Sequence, residues 1–279
     1  MSAATNTTVI QLAYLGASLL FILGLQAMNR TETARRGVRL AEVGMLLAVI
    51  GTLLHAEIVR FEWILVSVVV GAAIGTAMGL FIPMVKMPER IALSHAFGGL
   101  AVALVGVAEY LHHDGQLDRL TMGAVGLEVF LGAITFTGSL VAFGKLQGLV
   151  SGRPVVWRGQ HALNLIAVVT SAALLGWLIA APGPAVGFYA LLGLGAALGL
   201  TLVLPIGGAD MPVVICLLNS YAGLAASATG FALGNNVLII CGALDGGSGL
   251  LLGVMMSKAM NRSFRNVLFG AVGGGAAAA

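Results

Sequence analysis

Residues 212–256 read PVVICLLNSYAGLAASATGFALGNNVLIICGALDGGSGLLLGVMM. Two apolar runs, 212–232 and 237–256, are separated only by Leu233-Gly-Asn-Asn236. Each supplies about the 20 residues a helix needs to cross the hydrocarbon core of a bilayer, and Gly-Asn is a chain-reversing pair. This stretch is expected to form a tight helical hairpin inside a membrane.

Working outward, seven more segments have the same character: about 8–28, 38–56, 62–83, 91–111, 120–143, 162–181 and 185–204. Pro83 and Pro88, Pro182-Gly-Pro184 and Pro205-Ile-Gly-Gly-Ala-Asp210 punctuate them. Composition agrees. Of 279 residues, 59% are hydrophobic and 9% charged, against roughly 25% charged in soluble domains, and mean hydropathy is +1.02. So few charges exclude a soluble globule and a disordered chain. Two cysteines, Cys216 and Cys241, lie in apolar runs and exclude a disulfide-stapled secreted domain. The expected fold is all-α, a polytopic transmembrane bundle of nine spans.

Basic residues orient it. Arg30, Arg35, Arg36, Arg39, Lys86, Arg90, Lys145, Arg153, Arg158, Lys258, Arg262 and Arg265 fall on one side of an alternating nine-span arrangement. Only Arg60 and Arg119 fall on the other. The positive-inside rule then places the N-terminus outside and the C-terminus in the cytoplasm. Met1–Thr8 has neither the basic start nor the cleavage site of a removable signal. Residues 1–265 are read as the membrane domain, and 266–279, ending in Gly and Ala, as a truncated flexible linker toward a further domain.

Glycines at four-residue spacing (Gly71, Gly75, Gly79; Gly195, Gly199; Gly242, Gly246; Gly249, Gly253) suit close helix approach in lipid. The run Gly193-Leu-Gly195-Ala-Ala-Leu-Gly199 superficially resembles a dinucleotide fingerprint, but it lacks the strand before it and lies inside a span. Packing is the reading adopted.

Ionisable groups inside spans are costly and default to functional candidates. His95 sits early in the fourth span, Glu42 in the second, Glu128 in the fifth and Asp245 near the middle of the ninth. Imidazole can take and release protons near neutrality; the alternative is a structural histidine bonded between helices. Asn219 and Ser220 interrupt the eighth span, and Thr135, Thr137 and Ser139 line the fifth. Asn219 either orients the imidazole or joins two helices. Glu42 and Glu128 read as structural or near-interface groups, or as partners of one another. Asp245, among glycines, must be protonated, paired or wetted. His112-His-Asp114 is read as a solvated loop rather than a metal site, and no metal site is expected. Trp63, Tyr110, Trp157 and Trp177 read as interface anchors. Asp210, Lys258 and Arg262 form a candidate charged rim, with Asp210 also placed to cap the helix beginning near Pro212.

Longer motifs carry a family likeness. They are Gly207-Gly-Ala-Asp-Met-Pro-Val-Val214, Leu218-Asn-Ser-Tyr-Ala-Gly223, Lys258-Ala-Met-Asn-Arg-Ser-Phe264, Ile134-Thr-Phe-Thr-Gly-Ser139 and Glu109-Tyr-Leu-His-His-Asp114. With Met87-Pro-Glu89 before His95, they resemble the beta subunit of the proton-translocating NAD(P) transhydrogenases over about 40–270. The resemblance implies nine spans followed by a soluble NADP(H)-binding domain, and hydride transfer from NADH to NADP+ coupled to inward proton movement. It implies a proton path through His95, Asn219 and Ser139, a sensitive Gly249, and Asp210, Lys258 and Arg262 facing the NADP(H) domain. Asp245 joins the candidate path from its own position. There this chain departs from the relatives, as it does in flanking His95 with Ser94 and Ala96. No cofactor is expected on this chain, with NADP(H) and NAD(H) held by partner domains. The expected partners are an alpha subunit, the chain's own C-terminal domain, protons, the lipid bilayer and a second protomer, not nucleic acid. The expected location is a bacterial cytoplasmic membrane in preference to a mitochondrial one. Two other classes stay open on the residues alone: a stand-alone transporter or cation/proton antiporter using His95, Asp245 and Asn219, and a passive membrane anchor.

Overall fold

The structure, a computed structural model, describes residues 3–55, 60–181, 183 and 185–269. Among these residues it is all-helical. The long helices are α1 (Ala3–Met28), α2 (Ala34–Leu53), α3 (Glu62–Phe81), α4 (Met87–His112), α5 (Arg119–Leu146), α6 (Gln160–Ala180), α7 (Ala185–Val203), α8 (Met211–Ala232) and α9 (Asn236–Ala259). They coincide with the nine segments expected, with ends shifted by a few residues. Eight are long and apolar enough to cross a membrane. The exception is α2, whose first half carries Arg35, Arg36, Arg39 and Glu42. A short helix, α10 (Phe264–Phe269), follows, so the segment read as linker from residue 266 begins in a helical turn with Val267 buried. The rest of that segment lies outside the described residues, as do Pro182 and Pro184.

Local chemistry sets the helix ends. The Asp118 carboxylate accepts from the amides of Leu120 and Thr121 and starts α5. Asn235 does the same for α9 through Val237 and Leu238. Pro88 and Pro212 sit in the first turns of α4 and α8, where a missing N–H costs nothing. Between α8 and α9, Gly234 takes φ 63°, a left-handed conformation that favours glycine.

The chain divides into two units, residues 1–82 and 83–279. In the first, α1 packs on α2 through glycine, and Tyr14 shares a hydrogen bond of 3.0 Å with Thr52. No residue of α3 is buried, and Cβ atoms at Gly71, Gly75 and Gly79 would meet nothing within 4 Å. That stripe, expected to pack, meets no neighbour among the described residues of the first unit. In the second unit α5 is central, packed by α4, α6, α7 and α8, while α8 and α9 form the expected hairpin. A Cβ on Gly223 would come to 2.8 Å from the Gly246 Cα, so the two backbones touch there. Gly195 and Gly199 face the α5 backbone at Phe130 and Ile134, which supports packing for that run. Tyr110 departs from the anchor reading: it is 3% exposed, stacks on Phe188 at 4.0 Å and donates to the Gly183 carbonyl.

Candidate functional site

The candidate site lies within the second unit, where α4, α5, α8 and α9 meet. On α4, Ala92 and Ala96 are fully buried on either side of His95. One turn on, a Cβ at Gly99 would stand 2.9 Å from the Gly132 carbonyl and from Thr135 Cβ. Small residues therefore bring α4 against the α5 backbone beside the histidine. His95 is half-buried, and its Nδ1 is buried with no hydrogen-bond partner among the described residues. Asp245 and Asn219 are the polar neighbours of the imidazole.

Asn219 links the other two. Its Nδ2 donates to Asp245 Oδ1 at 3.0 Å across the α8–α9 contact. One turn beyond Asp245, Gly249 leaves the space this needs: a Cβ there would stand 2.9 Å from Asn219 Nδ2 and 3.1 Å from the Cys216 carbonyl. Ser220 reinforces the contact by donating to the Gly246 carbonyl at 2.6 Å. Thus three polar groups from three helices, His95, Asn219 and Asp245, converge.

The α5 hydroxyls divide by face. Thr137 donates to Ala133 and to Ala196 on α7, joining two helices. Thr135 and Ser139 are buried and lack a partner among the described residues. The antiparallel α4–α5 contacts set Gly106 against Glu128 and Val129, Ala103 against Gly132, and Gly99 against Thr135 and Phe136. The same register puts Ser139 at the level of His95.

Nine residues along α8 from Asn219, about 14 Å at 1.5 Å per residue, stands the rim. Asp210 ends a 3-10 turn, Gly208–Asp210, and its carboxylate pairs with Arg262 at 3.5 Å. It makes no side-chain cap to α8, so the capping expectation fails because the side chain turns to the arginine instead. Lys258 is exposed in the last turn of α9, and Asp210 does not pair with it.

Two buried ionisable groups escaped their sequence reading. Lys145, counted there as a flanking charge, is 4% exposed. Its Nζ donates to the carbonyls of Ile206 at 2.7 Å, of Leu204, and of Arg153 at 3.5 Å. It thereby ties the end of α5 to the turn carrying Asp210. Its apolar neighbours Phe143 and Leu146 were the available signal. Glu128 is 0% exposed, and neither carboxyl oxygen has a hydrogen-bond partner among the described residues. Glu109 on α4 is the ionisable group that acts on it. His113 contacts Glu109 at 3.3 Å, and no group of three metal-ligating side chains occurs among the described residues.

Chemically, the constellation offers one group that exchanges protons near neutrality, a carboxyl to balance its charge and an amide to orient it. A family model for the NAD(P) transhydrogenase beta subunit matches residues 10–279. The NAD(P) transhydrogenase subunit beta of Rhodospirillum rubrum is 43% identical over 281 residues, which cover 96% of this chain and 59% of the relative. A second sequence from that organism gives the same figures. The chain therefore spans about three-fifths of the length of these curated relatives.

Proposed function

Since this chain belongs to the NAD(P) transhydrogenase beta subunit family, we propose that it is the proton-conducting membrane part of such an enzyme. Proton movement through it drives hydride transfer from NADH to NADP+ in soluble domains outside residues 1–279. The observation that carries this reading is the convergence of His95, Asn219 and Asp245 from α4, α8 and α9.

His95 takes a proton and becomes an imidazolium. Asp245 balances the new charge, and Asn219, held by Asp245, orients the ring. Ser139, at the same level of α5, extends the path with water. The charge change biases α8 and α9 and, through them, Asp210, Lys258 and Arg262 at the rim. Those residues face the chain's own NADP(H)-binding domain and set which nucleotide state it holds. One charge crossing 100 mV supplies about 2.3 kcal/mol, enough to shift a nucleotide affinity roughly 50-fold. The bias of basic residues supports a C-terminus and rim on the cytoplasmic side, with the N-terminus outside, in a bacterial cytoplasmic membrane. An alpha subunit completes the enzyme, which works as a dimer of protomers.

The test is proton uptake by vesicles containing the complete enzyme, followed with a pH-sensitive dye during NADH-driven reduction of NADP+. His95→Ala is expected to abolish pumping and the coupled reaction. Full coupled activity in that variant would refute the relay.

A further inference from the structure

Resting on that reading, we propose that Glu128 is a proton-loading group, feeding His95 from the side of the bundle where α4 ends and α5 begins. Eight buried side-chain atoms lack a hydrogen-bond partner among the described residues, and five belong to this line: both Glu128 oxygens, Thr135 Oγ1, Ser139 Oγ and His95 Nδ1. Residues 128, 135 and 139 are spaced seven and four apart, which puts them on one stripe of α5. Gly106, Ala103 and Gly99 bring α4 against that stripe. Buried polar atoms are seldom left without a partner. Steps of roughly 10 and 6 Å along a helix are spanned in this path by water, which the unpartnered polar atoms on the stripe would hold.

The neighbours of Glu128 suit a group that carries a proton. From α8, Thr229 stands beside Glu128, and its hydroxyl donates to the Ala225 carbonyl at 3.1 Å. From α4, the group acting on Glu128 is Glu109, of like charge, three residues from the helix end. A purely structural acid would be held by donors, and Glu128 has none among the described residues. In the proposed step the Glu128 O–H bond breaks and its proton passes along water and the Thr135 and Ser139 hydroxyls. An N–H bond then forms on His95. The Glu128 carboxylate is reloaded by a proton from outer water by way of Glu109. No electrons move.

Glu128→Gln and Glu128→Asp in the complete enzyme, assayed for dye-reported proton uptake, test this. Glutamine keeps the shape but cannot release a proton, so pumping is expected to fall at least ~10-fold, while aspartate keeps pumping within roughly threefold of wild type. A structural role predicts the reverse order. Infrared difference spectra of the wild type should carry a protonated-carboxyl band that is lost in Glu128→Gln and shifted in Glu128→Asp. A glutamine variant that pumps at the wild-type rate, or keeps the band, overturns the proposal. Should that variant not fold, an unshifted band in Glu128→Asp overturns it. A wild-type enzyme that moves no protons refutes the parent reading instead.

Discussion

Asn219 and Asp245 face each other across the α8–α9 contact, the amide donating to the carboxylate at 3.0 Å. With its N–H engaged, the amide has its orientation toward His95 set by α9. Asp245 also brings the acidic charge that acts on the imidazole. Replacing Asp245 with Asn keeps the volume and removes that charge, so an imidazolium at residue 95 loses stabilisation. The pH profile of proton-coupled turnover is therefore expected to move to lower pH in Asp245→Asn. An identical profile would make Asp245 a structural residue.

Close backbone approach in the second unit predicts a graded response to added methyl groups. At Gly223 a Cβ would collide with the Gly246 backbone, whose Cα lies 2.8 Å away. Backbone cannot rotate aside as a side chain does, so Gly223→Ala is expected to cost about 1–3 kcal/mol or more. Gly193 has nothing within 4 Å of the same position, and Gly193→Ala is expected to stay within about 0.5 kcal/mol of wild type. Thermal unfolding of both variants in one detergent checks the contrast.

That contrast marks where sequence reading reaches and where it stops. The nine helices were legible because each needs only length, apolar composition and a cap. His95, Asn219 and Asp245 were legible because a polar group inside an apolar run is costly wherever it points. Partners were not legible. Gly71, Gly75 and Gly79 share the spacing of Gly242 and Gly246, yet within its own unit only the latter pair meets a neighbouring helix among the described residues. Periodicity defines a face but not what lies against it. Glu128 depended on the α4–α5 register, which sets Gly106 beside it. Tyr110 and Lys145 stand near helix ends, where sequence suggests a wet interface, and only contact with Gly183 and Phe188, and with the carbonyls of Leu204 and Ile206, buries them.

Lys145 supplies the third expectation. Its ammonium is the donor shared by the Leu204, Ile206 and Arg153 carbonyls. Lys145→Met keeps an unbranched chain but leaves those acceptors without it. A loss of about 1–3 kcal/mol is expected. Lys145→Arg is not expected to restore it, because a planar fork cannot replace a compact ammonium aimed at three carbonyls. Unfolding temperatures of the two variants decide this, and a methionine variant as stable as wild type would contradict the clamp.

Asp118, outside the membrane-spanning part of α5, gives a pH expectation with a definite sign. The Thr121 hydroxyl, then the Thr121 and Leu120 amides, hold its carboxylate below the ordinary carboxylate range. A depressed folded pKa means the stabilisation is complete above the unfolded value of about 3.9. It disappears as pH falls through the lower folded value. Asp118→Asn keeps a cap without a titrating group. Acidification from about pH 5 to about pH 2 should therefore narrow the difference in unfolding temperature between wild type and Asp118→Asn. An unchanged difference would count against the cap as a titrating contact.

The Asp210–Arg262 pair separates function from stability. Arg262 is half-exposed and the pair spans 3.5 Å, a geometry worth little to folding, about 0–1 kcal/mol. Asp210 is nearly buried, with one oxygen facing no partner among the described residues, and Lys145 holds the preceding turn in place. The pair thus joins a nearly buried carboxylate to an exposed cation, a placement suited to report helix position to an attached domain. Arg262→Ala is expected to leave the unfolding temperature almost unchanged and to alter NADP(H) release from the complete enzyme. A double-mutant cycle with Asp210→Asn should show coupling in the release rate but little in stability. Release kinetics that match wild type, or additive effects in the cycle, would remove the rim from the coupling route.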